Sequence, residues 1–168
     1  MNYIFSAIFL YFFLGFLLYI FQRRIIFNKS GHPGAPRDYN LDKTEEIYIK
    51  TEDNLDLLSW YHKGDDSLPL LVYFHGNSFH IGDRAYRMQK YIENNWSILL
   101  VSWRGFGGNK GKPTEKNFYK DSKAVLKWIE NNTKFQFKDL VIYGESLGSA
   151  VAVELGTKHK FLSIVLEA

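Results

Sequence analysis

No cysteine occurs among the 168 residues. Disulfides, thiol catalysis and cysteine-ligated metal are therefore excluded together, although this does not fix the compartment. A strong charge of one sign is missing too. Lys and Arg number 21 against 18 for Asp and Glu, a net charge of +3 without clustering, and nothing there points to nucleic acid. His32, His62 and His80 form no pair with metal-ligand spacing, so neither a metal nor a cofactor is expected. The chain has no internal repeat and no low-complexity tract. Its length allows one domain of ordinary size.

One further absence is local. From Tyr3 to Phe21 there is no charged side chain, and Phe, Leu, Ile and Tyr dominate. Nineteen helical residues span about 28 Å, close to the hydrocarbon thickness of a bilayer. No Lys or Arg precedes the run and no small-residue cleavage site follows it, which argues against a cleaved signal peptide. Gln22, Arg23 and Arg24 suit lipid headgroups instead. Residues 1–27 are thus expected to form a single-pass anchor in membrane lipid. Arg23, Arg24, Lys29 and Arg37 behind it predict that the globular part faces the cytoplasm.

Residues 28–44 read as a linker, with Gly31, Pro33, Gly34 and Pro36 as its punctuation. Glu46–Lys50 and Leu55–Tyr61 predict a hairpin turning at Thr51–Asn54. Leu70–Phe74 predicts a buried strand that ends at His75-Gly76-Asn77-Ser78. A helix is expected from about Gly82 to Asn94, then a strand over Ile98–Val101 that ends in Ser102-Trp103-Arg104-Gly105. Pro113-Thr114 opens a second helix whose inner face is Phe118, Ser122, Val125, Leu126 and Ile129. Ser163–Leu166 predicts a last strand. Strands alternating with helices after an initial hairpin define an α/β fold with a mostly parallel sheet. Ligands of such sheets bind beyond the C-terminal ends of the strands.

The stretch Leu140–Leu155 carries the chemistry. An apolar run rich in β-branched and aromatic residues stops at Gly144, and Leu147, Ala150, Val151 and Leu155 then repeat as one helix face. Between them lies Gly144-Glu145-Ser146-Leu147-Gly148, a G-x-S-x-G pattern on a strand-to-helix turn. A serine there is strained and exposed above the sheet, and the flanking glycines let backbone pass close by. The bland alternative is a glycine-rich turn with a helix-capping serine.

From Gln22 to Ala168 the sequence resembles the α/β-hydrolase superfamily, in particular its membrane-anchored branch of protein depalmitoylases and lysophospholipid lipases. The resemblance rests on Gln22-Arg23-Arg24 with Ile26-Phe27, His75-Gly76-Asn77, Arg104-Gly105-Phe106-Gly107, Gly144-Glu145-Ser146-Leu147-Gly148 and Leu166-Glu167, in that order. Trp103 departs from the usual tyrosine and Ser149 from a common second glycine. The resemblance implies that residues 45–168 form an incomplete hydrolase domain. It also implies Ser146 as nucleophile, with the backbone N–H groups of Leu147 and Asn77 as an oxyanion hole.

Other polar residues have plainer readings. His75 is expected to hold its loop by hydrogen bonding, His159 to be solvated and Asp121 to be a helix-surface charge. Glu145, on so tight a turn, is expected to lie away from the serine. Gly105–Lys112 imitates a phosphate loop but fails at Phe106, Lys110 and Pro113.

In this fold the triad acid and histidine follow the serine. About twenty residues follow Gly148, and none supplies a base. Losing the histidine of a serine hydrolase costs on the order of a millionfold in turnover. Two expectations therefore stand side by side. One is an ester or thioester hydrolase completed by a C-terminal hydrolase segment. The other is a non-catalytic remnant that binds lipid or a partner.

Overall fold

A computed structural model describes residues 2–29 and 31–168. Helix α1 (Asn2–Ile26) runs through the uncharged stretch and past Arg23 and Arg24 without a break. At 1.5 Å per residue it reaches about 37 Å, longer than the uncharged run alone. None of its apolar window is buried against the rest of the protein, and its length and composition suffice to cross a bilayer.

Beyond it come β1 (Asn28–Lys29), β2 (Thr44–Lys50), β3 (Asp56–His62), β4 (Leu70–Phe74) and β5 (Ser78–Phe79). A 3-10 turn over Ile81–Arg84 leads into α2 (Ala85–Ile92), so the expected helix starts as a tighter coil and ends two residues early. The remainder is β6 (Ser97–Val101), α3 (Glu115–Asn132), β7 (Leu140–Glu145), α4 (Leu147–Lys158) and β8 (Ser163–Glu167). Thr114 caps α3, its hydroxyl accepting from Asn117 N–H.

Six strands form one sheet in the order β2-β3-β6-β4-β7-β8. The β2–β3 hairpin and its junction with β6 are antiparallel, and β6, β4, β7 and β8 run parallel. The two-residue period of the strands divides the core between the faces. Leu70, Val72, Phe74, Leu99, Val101 and Ile142 face α3 and α4. Leu71, Tyr73, Ile98, Leu100 and Val141 face α2. Strands covered on both sides need continuous apolar runs, and β4 and β6 are buried throughout. At the other margin β8 is an edge of the sheet, with Ile164, Val165 and Leu166 at 38%, 36% and 53% exposure.

The segment expected as a linker packs onto the domain. Pro33, Pro36 and Leu41 are buried, and the Tyr39 ring lies 5.4 Å from Trp60. Phe27 inserts its ring beside Phe106 and Phe118, at 6.2 and 5.9 Å. β1 pairs in parallel with β5, a two-residue ladder too short for sequence periodicity to reveal.

Asp121 overturns its expectation. It is fully buried on α3, where Arg104 meets it with Nε at 2.8 Å, Nη2 at 2.7 Å and its backbone N–H at 3.1 Å. The same guanidinium reaches Asp53 in the β2–β3 turn with Nη1 at 2.7 Å. Arg104 thereby fastens the loop after β6 to a helix and to the hairpin. Removing one partner of a buried pair strands the other charge, at about 3–5 kcal/mol. Asp121→Ala should destabilise the chain by that amount in denaturant titration, and Asp121→Asn, which keeps an acceptor, by less. Equal stability of Asp121→Ala and the unmodified protein would show the pair to be dispensable.

Candidate active site

β4 and β7 are neighbours and parallel, so their C-terminal ends open side by side. The first runs into His75-Gly76-Asn77 and the second into Gly144-Glu145-Ser146. Ser146 has φ 49° and ψ −108°, a positive φ in a non-glycine residue. Such backbone costs on the order of 1–3 kcal/mol and persists only where its surroundings enforce it. Here Ser146 N–H donates to the Glu167 carbonyl at 2.6 Å, and Ser149 Oγ donates to the Gly144 carbonyl at 2.8 Å. Ser149, a departure from the resembled pattern, thus ties down the turn.

Two glycines are needed because the turn is crowded. A Cβ on Gly148 would stand 2.0 Å from the Phe74 carbonyl oxygen, and one on Gly144 would stand 2.5 Å from that of Gly148. α4 therefore starts against the end of β4. Leu147 opens this helix, and a first-turn N–H has no intrahelical acceptor. Ser146 is exposed.

Gly76 lies beside the turn: a Cβ built there would be 3.4 Å from Ser146 Cβ. The structure thus brings the Asn77 loop next to Ser146 and Leu147. The Asn77 side chain donates Nδ2–H to the Ile26 carbonyl at 2.9 Å, linking the loop to the last residue of α1.

Glu145 is engaged away from the serine. Its carboxylate accepts from Arg84 at 2.8 and 3.0 Å and from the Tyr73 hydroxyl at 2.9 Å. Burial would raise this carboxyl, but the hydrogen bonds and charge of Arg84 overcome that and hold it at about 2. A second unit runs parallel, with Glu167 accepting from Arg87 at 2.6 Å and from the Tyr143 hydroxyl at 2.7 Å. Tyr73 and Tyr143 stack at 4.7 Å. Arg84 and Arg87 lie 61 and 80 residues from their carboxylates, so no local pattern in the sequence marks them.

His75 is fully buried, and its Nδ1–H donates to the Gly76 carbonyl at 2.7 Å. Its own carbonyl accepts Trp103 Nε1–H at 2.9 Å. It holds the loop, as expected. His159 is half-buried: its ring is partly solvated, as expected, and also packs against Phe137 at 4.8 Å and Phe161 at 5.9 Å, beyond the far end of α4.

Burial, with some help from the Arg84 charge, pushes the His75 imidazole down from 6.5 to about 4. Its folded value lies below its unfolded one, so the unfolded chain takes up a proton that the folded chain refuses. Stability from this residue is complete above about pH 6.5 and is lost as pH falls toward 4. The loss should approach 3 kcal/mol, roughly. His75→Asn keeps a donor for Gly76 but cannot titrate, and its denaturation midpoint should change less between pH 7 and pH 4.5. Identical pH dependence in both proteins would contradict a buried neutral imidazole.

Comparison with known proteins places this geometry in a family. Residues 66–166 match the model of a hydrolase family described as serine aminopeptidase, S33. Protein bem46 of Schizosaccharomyces pombe is 29% identical over 166 residues, covering 92% of this chain and 55% of that protein. The lysophosphatidylserine lipase ABHD12 of Danio rerio is 26% identical over 141 residues, covering 71% of this chain and 36% of that one. An esterase structure from Pyrococcus furiosus superposes with a TM-score of 0.63 at 24% identity, over 76% of this chain and 51% of its own. The chain spans about half the length of the curated relatives it matches. With the family model matching from just before β4 into β8, and the sheet superposing on a solved esterase, this chain belongs to that hydrolase family and, through it, to the α/β-hydrolase superfamily.

Proposed function

We propose that Ser146 is the nucleophile of a membrane-anchored serine hydrolase acting on an ester or thioester. The observation that carries the reading is its backbone: a positive-φ, exposed serine on a strand–turn–helix junction. Leu147 N–H and Asn77 N–H are the proposed oxyanion donors. Each such donor is worth about 3 kcal/mol when it is aimed at the developing charge. Attack by Ser146 Oγ on the acyl carbon forms a tetrahedral adduct whose oxygen takes up these N–H groups. The hydroxyl proton passes to a histidine and on to the leaving alcohol or thiol.

None of the five described histidines fits that role: His32 is engaged with Gly34, His62 with Thr44 and His80 with Asp83. His75 is buried and committed to Gly76, and His159 lies in an aromatic cluster beyond the far end of α4. The acid and base therefore belong to a complementing C-terminal hydrolase segment, for which the greater length of the relatives leaves room. Similarity to a lysophosphatidylserine lipase favours a lipid ester or acyl chain as substrate. So does the bond from Asn77 to the end of α1, which sets the proposed site at the base of the apolar helix.

Residues 1–168 in micelles should label slowly with a fluorophosphonate, because none of the described histidines is placed to activate the serine. A C-terminal hydrolase segment carrying both missing residues should raise the rate, and Ser146→Ala should abolish labelling. Equal labelling of Ser146→Ala would refute the assignment.

The anchor reading has its own test. α1 crosses the bilayer once, with Arg23 and Arg24 at its cytoplasmic end. The protein should remain in membranes through an alkaline carbonate wash. Since the sequence has no cysteine, an introduced Lys110→Cys is the sole thiol. It should react with an impermeant maleimide only after the cells are opened. Reaction in intact cells would place the globular part outside.

A further inference from the structure

Arg84 closes the 3-10 turn after β5, and its side chain is only 11% exposed. Its guanidinium makes three bonds to two different segments, the start of β5 and the end of β7. Nη1–H donates to the Ser78 carbonyl at 2.9 Å. Nε–H and Nη2–H donate to Glu145 Oε2 and Oε1 at 3.0 and 2.8 Å. Ser78 directly follows Asn77, and Glu145 directly precedes Ser146.

We propose that Arg84 is a positioning residue for the oxyanion hole, a rigid strut that fixes the Asn77 loop relative to the Ser146–Leu147 turn. The inference rests on the reading that Asn77 and Leu147 N–H are the oxyanion donors. One planar cation joins the Ser78 backbone carbonyl to the side-chain carboxylate of the residue before Ser146, so a shift of the Asn77 loop relative to the turn strains bonds on a shared group. The guanidinium suits this task because its donors diverge from one plane at fixed angles. A lysine ammonium offers charge without that fork. Glu145 is in turn held by the Tyr73 hydroxyl at 2.9 Å, so the far end of the strut is anchored in the sheet. A partly buried ion pair is by itself weak support for a fold. The distinguishing feature is the third bond, which goes to the backbone carbonyl of Ser78 and leaves the carboxylate pairing intact. An error of about 1 Å in a donor's placement can cost roughly 100-fold in rate.

The test compares the protein in lipid nanodiscs with Arg84→Lys, Arg84→Met and the double variant Arg84→Met/Glu145→Gln. The double variant leaves no lone carboxylate, so its melting temperature should recover most of what Arg84→Met loses. Amide hydrogen exchange at Asn77–Phe79 should nevertheless stay about tenfold or more faster than in the unmodified protein, in all three variants. Exchange in β4, β6 and β7 should be unchanged in the double variant. With the C-terminal hydrolase segment supplied, fluorophosphonate labelling of Ser146 should fall roughly 100-fold in the double variant, with the reversible affinity for the probe changing less than about twofold. If exchange at Asn77–Phe79 returns to the unmodified value together with stability, Arg84 serves the fold alone and the proposal is wrong. Undiminished labelling in a folded double variant overturns it equally. Labelling that survives Ser146→Ala would instead refute the nucleophile assignment, and the exchange measurement would still decide whether Arg84 couples the two segments.

Discussion

The Glu167 carbonyl accepts the Ser146 N–H at 2.6 Å, and the Ser149 hydroxyl, with its one proton, lies 2.8 Å from the Gly144 carbonyl and 3.1 Å from that of Glu167. A serine at φ 49° is unfavourable in isolation, and this acceptor at the end of β8 is what holds it there. The carbonyl is available only because β7 and β8 pair in parallel with Glu145 opposite Glu167. A one-residue slip of that register would turn every β8 side chain to the other face. The sheet register and the strain at Ser146 are therefore one constraint.

The remaining geometry follows from it. Once the turn is set, α4 leaves so close to β4 that position 148 has no room for a side chain. That contact brings the ends of β4 and β7 together and sets Gly76 against Ser146. Two further ties hold the same loop, Arg84 from the start of α2 and the Ile26 carbonyl from the end of α1. The apolar helix is thus joined to the candidate site through the Asn77 side chain, and Phe27 seats that junction among Phe106 and Phe118. The proposed chemistry and the proposed anchor meet in a few residues.

Much of this was legible in the sequence because its causes are local. Period-two and period-3.6 patterns marked the strands and helices of the sheet, and glycine spacing marked the crowded turn. The buried state of Asp121 was not legible. An aspartate on a helix reads as a surface charge unless its partner is known, and Arg104 lies 17 residues earlier on a loop. Arg84 escaped for the same reason at greater distance, and β1–β5 because two residues make no period. The packing of Pro33, Pro36 and Leu41 was hidden by turn residues that signal a linker as readily as a strap. The packing of His159 was hidden because its aromatic neighbours Phe137 and Phe161 include one from across α4.

The central claim is that Ser146 sits where two backbone N–H groups can receive an oxyanion. A structure of the fluorophosphonate adduct tests it most directly, because the phosphonyl oxygen occupies the position of the tetrahedral oxyanion. The account predicts the adduct on Ser146 Oγ, with that oxygen about 2.7–3.1 Å from both Leu147 N and Asn77 N. An oxygen directed into solvent with neither donor in reach, or an adduct on any other residue, would contradict it.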